Sequence, residues 1–396
     1  MDFSLSEEQL EIKKWAHEFA EKEIRPVAAE YDESEEFPWP VIKKAAEAGL
    51  YSLDIYMQAQ QDPTGLTFPL VLEEIFWGCA GIGLAIFGTG LPLSALASVG
   101  TQEQLFEWAP KMFGTPEKPA VAAFGVTEPQ AGSDVRNLRT RAVRDGDEWV
   151  LNGTKVFITN GGVADVFIIV ATVDPELGHR GQASFIIHKD DGGISAGKKE
   201  KKLGIRASNT TEVILDDCRI PLERVLGGMD KLEGKLAKAK SGESSGRASA
   251  ALRTFEVTRP AVAAQAVGIA RAALEFSVEY AKDRKAFGVP ITQHQSIQNT
   301  LADMATEIEC SRLLVHKAAW LAASGQPFSK AEGSMSKLKA GETAVRVTEQ
   351  AVQVLGGYGY IKDFPVEKWY RDSKIYTIFE GTSEIQRMVI ARALIS

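Results

Sequence analysis

The spacing of apolar residues changes period twice along this chain, and few architectures accommodate that. Residues 4–118 read as helix. Ser6 before Glu7 and Glu8 makes a good N-cap, and Leu10, Trp15, Phe19 and Ile24 mark an apolar side of a long amphipathic helix. Pro38-Trp39-Pro40 starts a second helix that Gly49 ends, and more follow until the Gly114-Thr115-Pro116 break. Residues 143–215 instead hold short β-branched and aromatic runs separated by turn chemistry. Residues 149–151 and 155–158 flank Asn152-Gly153, which predicts a hairpin turn; 166–170, 184–187 and 211–215 read as further strands. No helical period lies between these strands, so they predict an antiparallel β domain and not a Rossmann unit. Residues 231–249 are polar and small, in the manner of a surface loop or a frayed helix. Helical period then returns at 261–280, 295–323 and 340–355. The predicted fold is therefore α+β: an N-terminal α-helical domain (1–118), a middle antiparallel β domain (119–230) and a C-terminal helical bundle (231–396).

Composition narrows the function. With 396 residues and a net charge of −8, the chain has room for several cores and lacks the basic stripe of a general nucleic-acid binder. Its basic run at Lys198, Lys199, Lys201 and Lys202 admits two readings, a solvated loop or a landing zone for an anion. Cys79, Cys218 and Cys310 stand far apart, which fits a reducing compartment, and the scattered histidines give no metal spacing. The acidic N-terminus has no apolar signal core, so a bacterial cytoplasm, or a mitochondrial matrix for a mature eukaryotic chain, is expected. The uncharged stretch from Glu74 to Glu103 is long enough to span a bilayer, but Gly88, Gly90 and Pro92 break it. Two buried helices joined by a tight turn are expected there, without membrane insertion.

Five segments carry possible chemistry. AFGVTEPQAGSD (123–134) is a glycine- and hydroxyl-rich turn whose exposed N–H groups suit a flavin edge and pyrophosphate, though a plain surface turn has the same look. GTKVFITNG (153–161) puts Phe157 and Thr159 on one strand face, an aromatic beside a hydroxyl. The third segment is LGIRASNTTEVILDDCRIP (203–221). The fourth is Thr258-Arg259-Pro260 leading into a helix, with RKAFG (284–288) after it; Arg259 there reads equally as a solvated cap. The fifth pairs QVLGGYGY (353–360) with IFEGTSEIQ (378–386).

In this order and spacing, over about residues 4–394, the set resembles the acyl-CoA dehydrogenase family. The Phe-Glu-Gly-Thr-Ser setting is most similar to the straight-chain, short- to medium-chain branch; in the isovaleryl type the base comes from a helix in the middle of the C-terminal domain. The resemblance implies FAD as cofactor. Phe124, Val126, Thr127, Gly132 and Ser133 would line the flavin and thioester, with Phe157 and Thr159 against the isoalloxazine. Arg284, Phe287, His294 and Gln295, with Gln353, Gly356 and Gly357, would reach the FAD of a neighbouring subunit, and Thr382 and Glu384 would meet FAD near its adenine or pyrophosphate half. Ser133, Ser208, Glu256, Arg259 and Gly381 match coenzyme A positions. Phe157 and Glu256 replace the family's frequent tryptophan and aspartate, and the loop before Thr258 is longer than usual. The implied reaction gives a fatty acyl-CoA an α,β trans double bond. Glu380 takes the α-proton, flavin N5 takes the β-hydride, and electrons pass to an electron-transfer flavoprotein.

Glu380 suits the base on local grounds. Gly381 lets backbone approach a ligand, and Ser383 with Gln386 reads as a capping box that starts a helix. A plain surface glutamate before a helix has the same local sequence. The rival readings are an acyl-CoA oxidase or flavin monooxygenase of the same fold, separable by oxygen reactivity, and a non-enzymatic assembly or nucleic-acid-binding relative. With every motif on one chain, a homotetramer is expected. Gly83 and Phe87 are placed near the pocket floor, where Phe87 would favour short or medium acyl chains.

Overall fold

The computed structural model describes residues 4–242 and 250–395, with side chains throughout except at 250–257. Eight helices come first: α1 (Glu7–Phe19), α2 (Ala28–Ser34), α3 (Trp39–Glu47), α4 (Leu53–Gln61), α5 (Thr67–Gly78), α6 (Ala80–Phe87), α7 (Gly90–Val99) and α8 (Gln102–Phe113). Ser6 caps α1 in a full capping box with Gln9. The buried side of α1 runs through Ala16 and Phe19 to Ala20 and Ile24, whereas Leu10 and Trp15 are exposed. That corrects the expected stripe: at about 100° per residue, Leu10 lies roughly opposite Phe19. The uncharged stretch is the end of α5 followed by α6 and α7, packed mostly inside the protein although its length and hydropathy would span a membrane.

Seven strands follow: β1 (Ala122–Gly125), β2 (Arg141–Asp145), β3 (Glu148–Thr159), β4 (Val166–Thr172), β5 (Gln182–His188), β6 (Ile194–Lys199) and β7 (Thr210–Pro221). They form one sheet in the order β1-β4-β2-β3-β7-β6, with β5 on β4. Most pairs are antiparallel, but β1 and β2 both run parallel to β4, which departs from the expected antiparallel domain. Asn152-Gly153 is not the hairpin turn. It sits at a register shift inside the single long strand β3 where that strand pairs with β7. The Asn152 carboxamide exchanges hydrogen bonds of 2.8 and 3.0 Å with Asp217, and a Cβ on Gly153 would fall 2.5 Å from Thr140 Oγ1. The glycine therefore permits close strand approach, and the hairpin turns at Gly146 (φ +61°) between β2 and β3.

The C-terminal part contains α9 (Met229–Lys240), α10 (Ala250–Asp283), the small hairpin β8 (Lys285–Ala286) and β9 (Val289–Pro290), α11 (Gln295–Ala323), α12 (Glu332–Leu355), α13 (Val366–Ser373) and α14 (Ser383–Ile395). Residues 231–240 of the polar 231–249 stretch are thus helix, residues 243–249 lie outside the described residues, and Leu232 of α9 belongs to the sheet's core. Pro260 does not open a helix but lies inside α10, which begins ten residues earlier.

Buried charges join the segments. Arg271 on α10 pairs with Glu73 (2.9 Å) and Glu74 on α5, and Arg312 on α11 reaches the same Glu73 at 2.9 Å. The helices α5 and α10 approach so closely at Gly268 that a Cβ there would stand 2.3 Å from Glu73 O. Asp372 on α13 is fully buried; it accepts from the Ile205 N–H and from Lys368 Nζ, each at 2.5 Å, and Lys368 also touches Cys79 Sγ at 3.2 Å. One carboxylate thereby ties the loop between β6 and β7 to the C-terminal helices and, through Lys368, to the N-terminal ones. The basic run is largely engaged: Lys198 pairs with Glu200, while Lys199 and Lys202 donate to the carbonyls of Glu35 and Ser208.

Candidate active site

A short 3-10 turn (Lys374–Thr377) leads from α13 to Glu380. The turn is anchored by Tyr376, which is buried, donates to Gln265 Oε1 (3.3 Å) and stacks edge-on against Phe379. Glu380 and Gly381 are both left-handed, with φ of +51° and +91°. For a glutamate this conformation is strained, and such strain persists only where the surroundings enforce it. They do. Gln386 Nε2 donates to the carbonyls of Glu380 (3.3 Å) and Gly381 (3.0 Å), and Lys337 Nζ donates to Gly381 O at 2.7 Å. The cap of α14 is Thr382, whose hydroxyl accepts from Ile385 N, and not Ser383. Gln386 has left the expected capping box to hold the turn beneath the glutamate. Among the described residues the Glu380 N–H has no acceptor.

The Glu380 carboxylate accepts from the Thr258 hydroxyl at 2.8 Å. Burial holds its carboxyl above the ordinary carboxylate range; the Thr258 hydrogen bond and the Lys337 and Arg259 cations pull the other way and lose. Arg259 is itself buried and donates from Nη1 to Ser334 Oγ at 2.9 Å, so it is no solvated cap.

The sheet supplies a second surface. Phe157 sits at a register shift in β3 with a left-handed φ of +58° and is 64% exposed between buried Val156 and Ile158. Thr159 is half-buried beside Gly88, where a Cβ would come within 3.3 Å of Thr159 Cγ2. The loop after β1 is stapled from beneath. Lys155 and Glu128 form a buried pair at 2.7 Å; Lys155 also donates to Val126 O (3.0 Å), and Thr127 O accepts from Val156 N (2.9 Å). Val126 is buried, Phe124 and Thr127 are half-buried, and Gly132 and Ser133 lie exposed at the loop's tip. Phe124, in β1, and Phe379, just before Glu380, both pack against one extended apolar core.

A cavity of about 510 Å³ gathers Arg284, Gly356 and Gly357 with Tyr280 and Tyr358. Beside it Phe287 (φ +52°) is almost wholly exposed and meets the His294 ring edge-on, while Gln295 and Gln353 are exposed on their helices. A second cavity, about 440 Å³, contains Thr382 and Glu384. Neither holds the Glu380 carboxylate. Of the positions matched to coenzyme A, Ser208 and Arg259 are enclosed by protein, and the side chain of Glu256 lies outside the described residues. Gly83 faces Phe76, while Phe87 is buried against Phe68 and Tyr56.

The sequence reading missed Lys155, Glu128, Lys337 and the role of Thr258. One signal was available for Lys337: it interrupts the stripe Gly333, Ala340, Ala344, Val347 and Ala351, all buried on α12.

The domain models of the acyl-CoA dehydrogenases match residues 6–115 (N-terminal), 123–218 (middle) and 247–395 (C-terminal). The chain belongs to the acyl-CoA dehydrogenase family. It is 41% identical, over 99% of both chains, to the short-chain specific acyl-CoA dehydrogenase of Clostridium acetobutylicum. It is 40% identical to the mitochondrial short-chain specific enzyme of Rattus norvegicus, over 97% of this chain and 89% of that one. The butyryl-CoA dehydrogenase structure from Megasphaera elsdenii superposes with a TM-score of 0.89 at 36% identity, covering 100% of each chain. A structure described as the electron transferring flavoprotein of Acidaminococcus fermentans has a chain that superposes at 0.88 with 38% identity, covering 100% of this chain and 99% of that one. As an acyl-CoA dehydrogenase the chain is an FAD-dependent oxidoreductase. Its residues fit a flavin: Phe157 bares an aromatic side chain on β3, and the same strand, through Lys155, holds the loop after β1 with a buried ion pair.

Proposed function

We propose that this acyl-CoA dehydrogenase desaturates short straight-chain acyl-CoA thioesters with Glu380 as the base. The observation that carries the reading is the Glu380 turn. It joins a half-buried glutamate of raised proton affinity to a backbone N–H that has no acceptor among the described residues. A carboxylate in water is too weak for an α-proton. Burial strengthens it, and a fixed N–H directed at the thioester oxygen stabilises the charge that develops there. Thr258 orients the carboxylate through its hydroxyl. The surface of Phe157, Thr159 and the 124–133 loop holds FAD, which when bound accepts the β-hydride. Arg284, Phe287, His294, Gln295, Gln353, Gly356 and Gly357 serve a neighbouring subunit's FAD in a homotetramer, and Thr382 and Glu384 meet its nucleotide half. Ser133 and Gly381 lie where coenzyme A enters.

Short chains are favoured because buried Phe87, with Phe68 and Tyr56, fills the space between α4, α5 and α6, and because two relatives are named short-chain specific. An electron-transfer flavoprotein is the acceptor, a reading supported by the Acidaminococcus neighbour. Bacterial and mitochondrial relatives fit either expected compartment. The test is Glu380→Gln in the flavin-loaded protein with butyryl-CoA. Substrate still binds, and flavin bleaching slows by roughly 10²–10⁴-fold, the range for a lost general base. Bleaching within about threefold of the parent rejects the assignment. A substrate scan that peaks at long chains rejects the short-chain reading alone.

A further inference from the structure

Lys337 is 1% exposed, on the face of α12 that packs against the Glu380 turn. Among the described residues no carboxylate lies within ion-pair distance of its ammonium, so its burial is not repaid by a salt bridge. It donates instead to the Gly381 carbonyl, at 2.7 Å, on the residue after Glu380. That carbonyl also accepts from Gln386, so two donors from different helices pin one peptide unit of a turn with two consecutive left-handed residues.

We propose that Lys337 is a positioning residue for the base: it locks the Glu380 turn through the Gly381 carbonyl and brings a buried cation to the residue next to the base. The inference rests on Glu380 being the base. The charged and titratable groups facing the pair are Arg259 from α10, Glu384 from α14 and Tyr376 from the preceding turn. Arg259 adds positive charge, Glu384 subtracts from it, and Tyr376 stays neutral. Lys337 itself is pushed down to about 8, chiefly by burial, with Arg259 acting in the same direction and Glu380 and Glu384 against it. Glu380 therefore faces a cation at neutral pH that is progressively lost above about pH 8.

Two functions of one side chain call for three substitutions. Lys337→Met keeps the length and removes both the donor and the charge; Lys337→Gln keeps an N–H donor within reach of Gly381 and removes only the charge; Lys337→Arg keeps both. The Glu380 carboxyl is titrated by infrared difference spectroscopy in the flavin-loaded protein, its band assigned as the one absent from Glu380→Gln. The acid limb of kcat/KM for butyryl-CoA is followed in parallel. Loss of the cation raises the Glu380 midpoint by about one pH unit in both the Met and Gln variants, and the acid limb moves with it. The Arg variant returns both toward the parent. Only Met, lacking the clamp, also lowers kcat on the pH-independent plateau. A midpoint that stays with the parent in the Met and Gln variants overturns the proposal, as does an equal plateau loss in Gln and Met for the clamp. Turnover in Glu380→Gln would instead overturn the assignment of the base, whatever Lys337 does.

Discussion

Replacing Glu128 by glutamine tests whether the buried pair under the loop after β1, the proposed flavin loop, fixes that loop. Lys155 and Glu128 are 0% and 2% exposed at their side chains and bond at 2.7 Å. Glu128 also accepts from the backbone N–H groups of Arg139 (2.6 Å) and Thr140 (2.9 Å). Glutamine keeps the shape but cancels the charge and turns one acceptor into a donor among donors. Removing one partner of a buried pair costs about 3–5 kcal/mol. With an unfolding entropy of roughly 2 cal/mol/K per residue, that lowers Tm by about 4–6 °C for cooperative melting of a chain this size. The cost has a pH signature. Lys155 is pushed down to about 8 by burial, against an ordinary 10.5, even with Glu128 beside it. Between those values the unfolded chain holds a proton the folded chain has released, so this group's contribution to stability rises with pH. Without Glu128 the folded value drops further. The variant is penalised most below pH 8, and its gap to the parent narrows above pH 9 as Lys155 becomes neutral in both. Calorimetric melting at pH 7 and 9.5, with flavin retention after gel filtration, measures both effects. Lys155→Met added to the variant should recover part of the loss, because no buried cation is then left without its carboxylate. A Tm within about 1 °C of the parent at pH 7, or a gap that widens with pH, refutes the reasoning.

Three further outcomes follow from the site. Glu380 has a raised folded value against 4.5 unfolded, so over the window above 4.5 the folded chain holds the extra proton and stability falls as pH rises through it; Glu380→Gln should therefore gain more Tm over the parent at pH 8 than at pH 5, and an equal gain at both rejects the raised value. Gly341→Ala places a Cβ 2.6 Å from Tyr376 O, a backbone atom that cannot swing aside, so it should cost about 1–3 kcal/mol and lower kcat by displacing the turn that carries Glu380; parent-like melting and turnover would contradict this. Phe157→Ala removes an exposed ring, so it should leave the melting of flavin-free protein unchanged while lowering the flavin-to-protein ratio after gel filtration; undiminished flavin would remove Phe157 from the cofactor surface.

What the sequence disclosed and what it hid divide along a physical line. Periodicity is a local property, so the α, β and α segments and the buried pair α6–α7 were legible in order. Local signals failed where tertiary contact reassigned them. Asn152-Gly153 has the chemistry of a turn, but Asp217 and Thr140 use it as a bulge within β3. Thr258-Arg259-Pro260 looks like a helix start because proline is welcome there, yet α10 runs through it and Arg259 is buried against Ser334. Ser383 and Gln386 have the spacing of a capping box, but Thr382 takes the cap and Gln386 is drawn back to the carbonyls of Glu380 and Gly381.

The candidate site repeats that division at the level of single residues. Glu380 and Gly381 could be picked out because the turn they build is written in adjacent letters. The groups that give the carboxylate its properties come from elsewhere: Thr258 lies 122 positions away, Lys337 reaches across 44 to Gly381, and Glu128 meets Lys155 over 27. A lysine in a string is a solvated cation by default, and only its burial turns it into an electrostatic device. A candidate base can thus be picked out in a sequence, whereas its proton affinity is set by which distant side chains the fold brings to it and by how much water the fold removes. In this chain the balance falls on the side of desolvation, which is what an α-proton requires of a carboxylate.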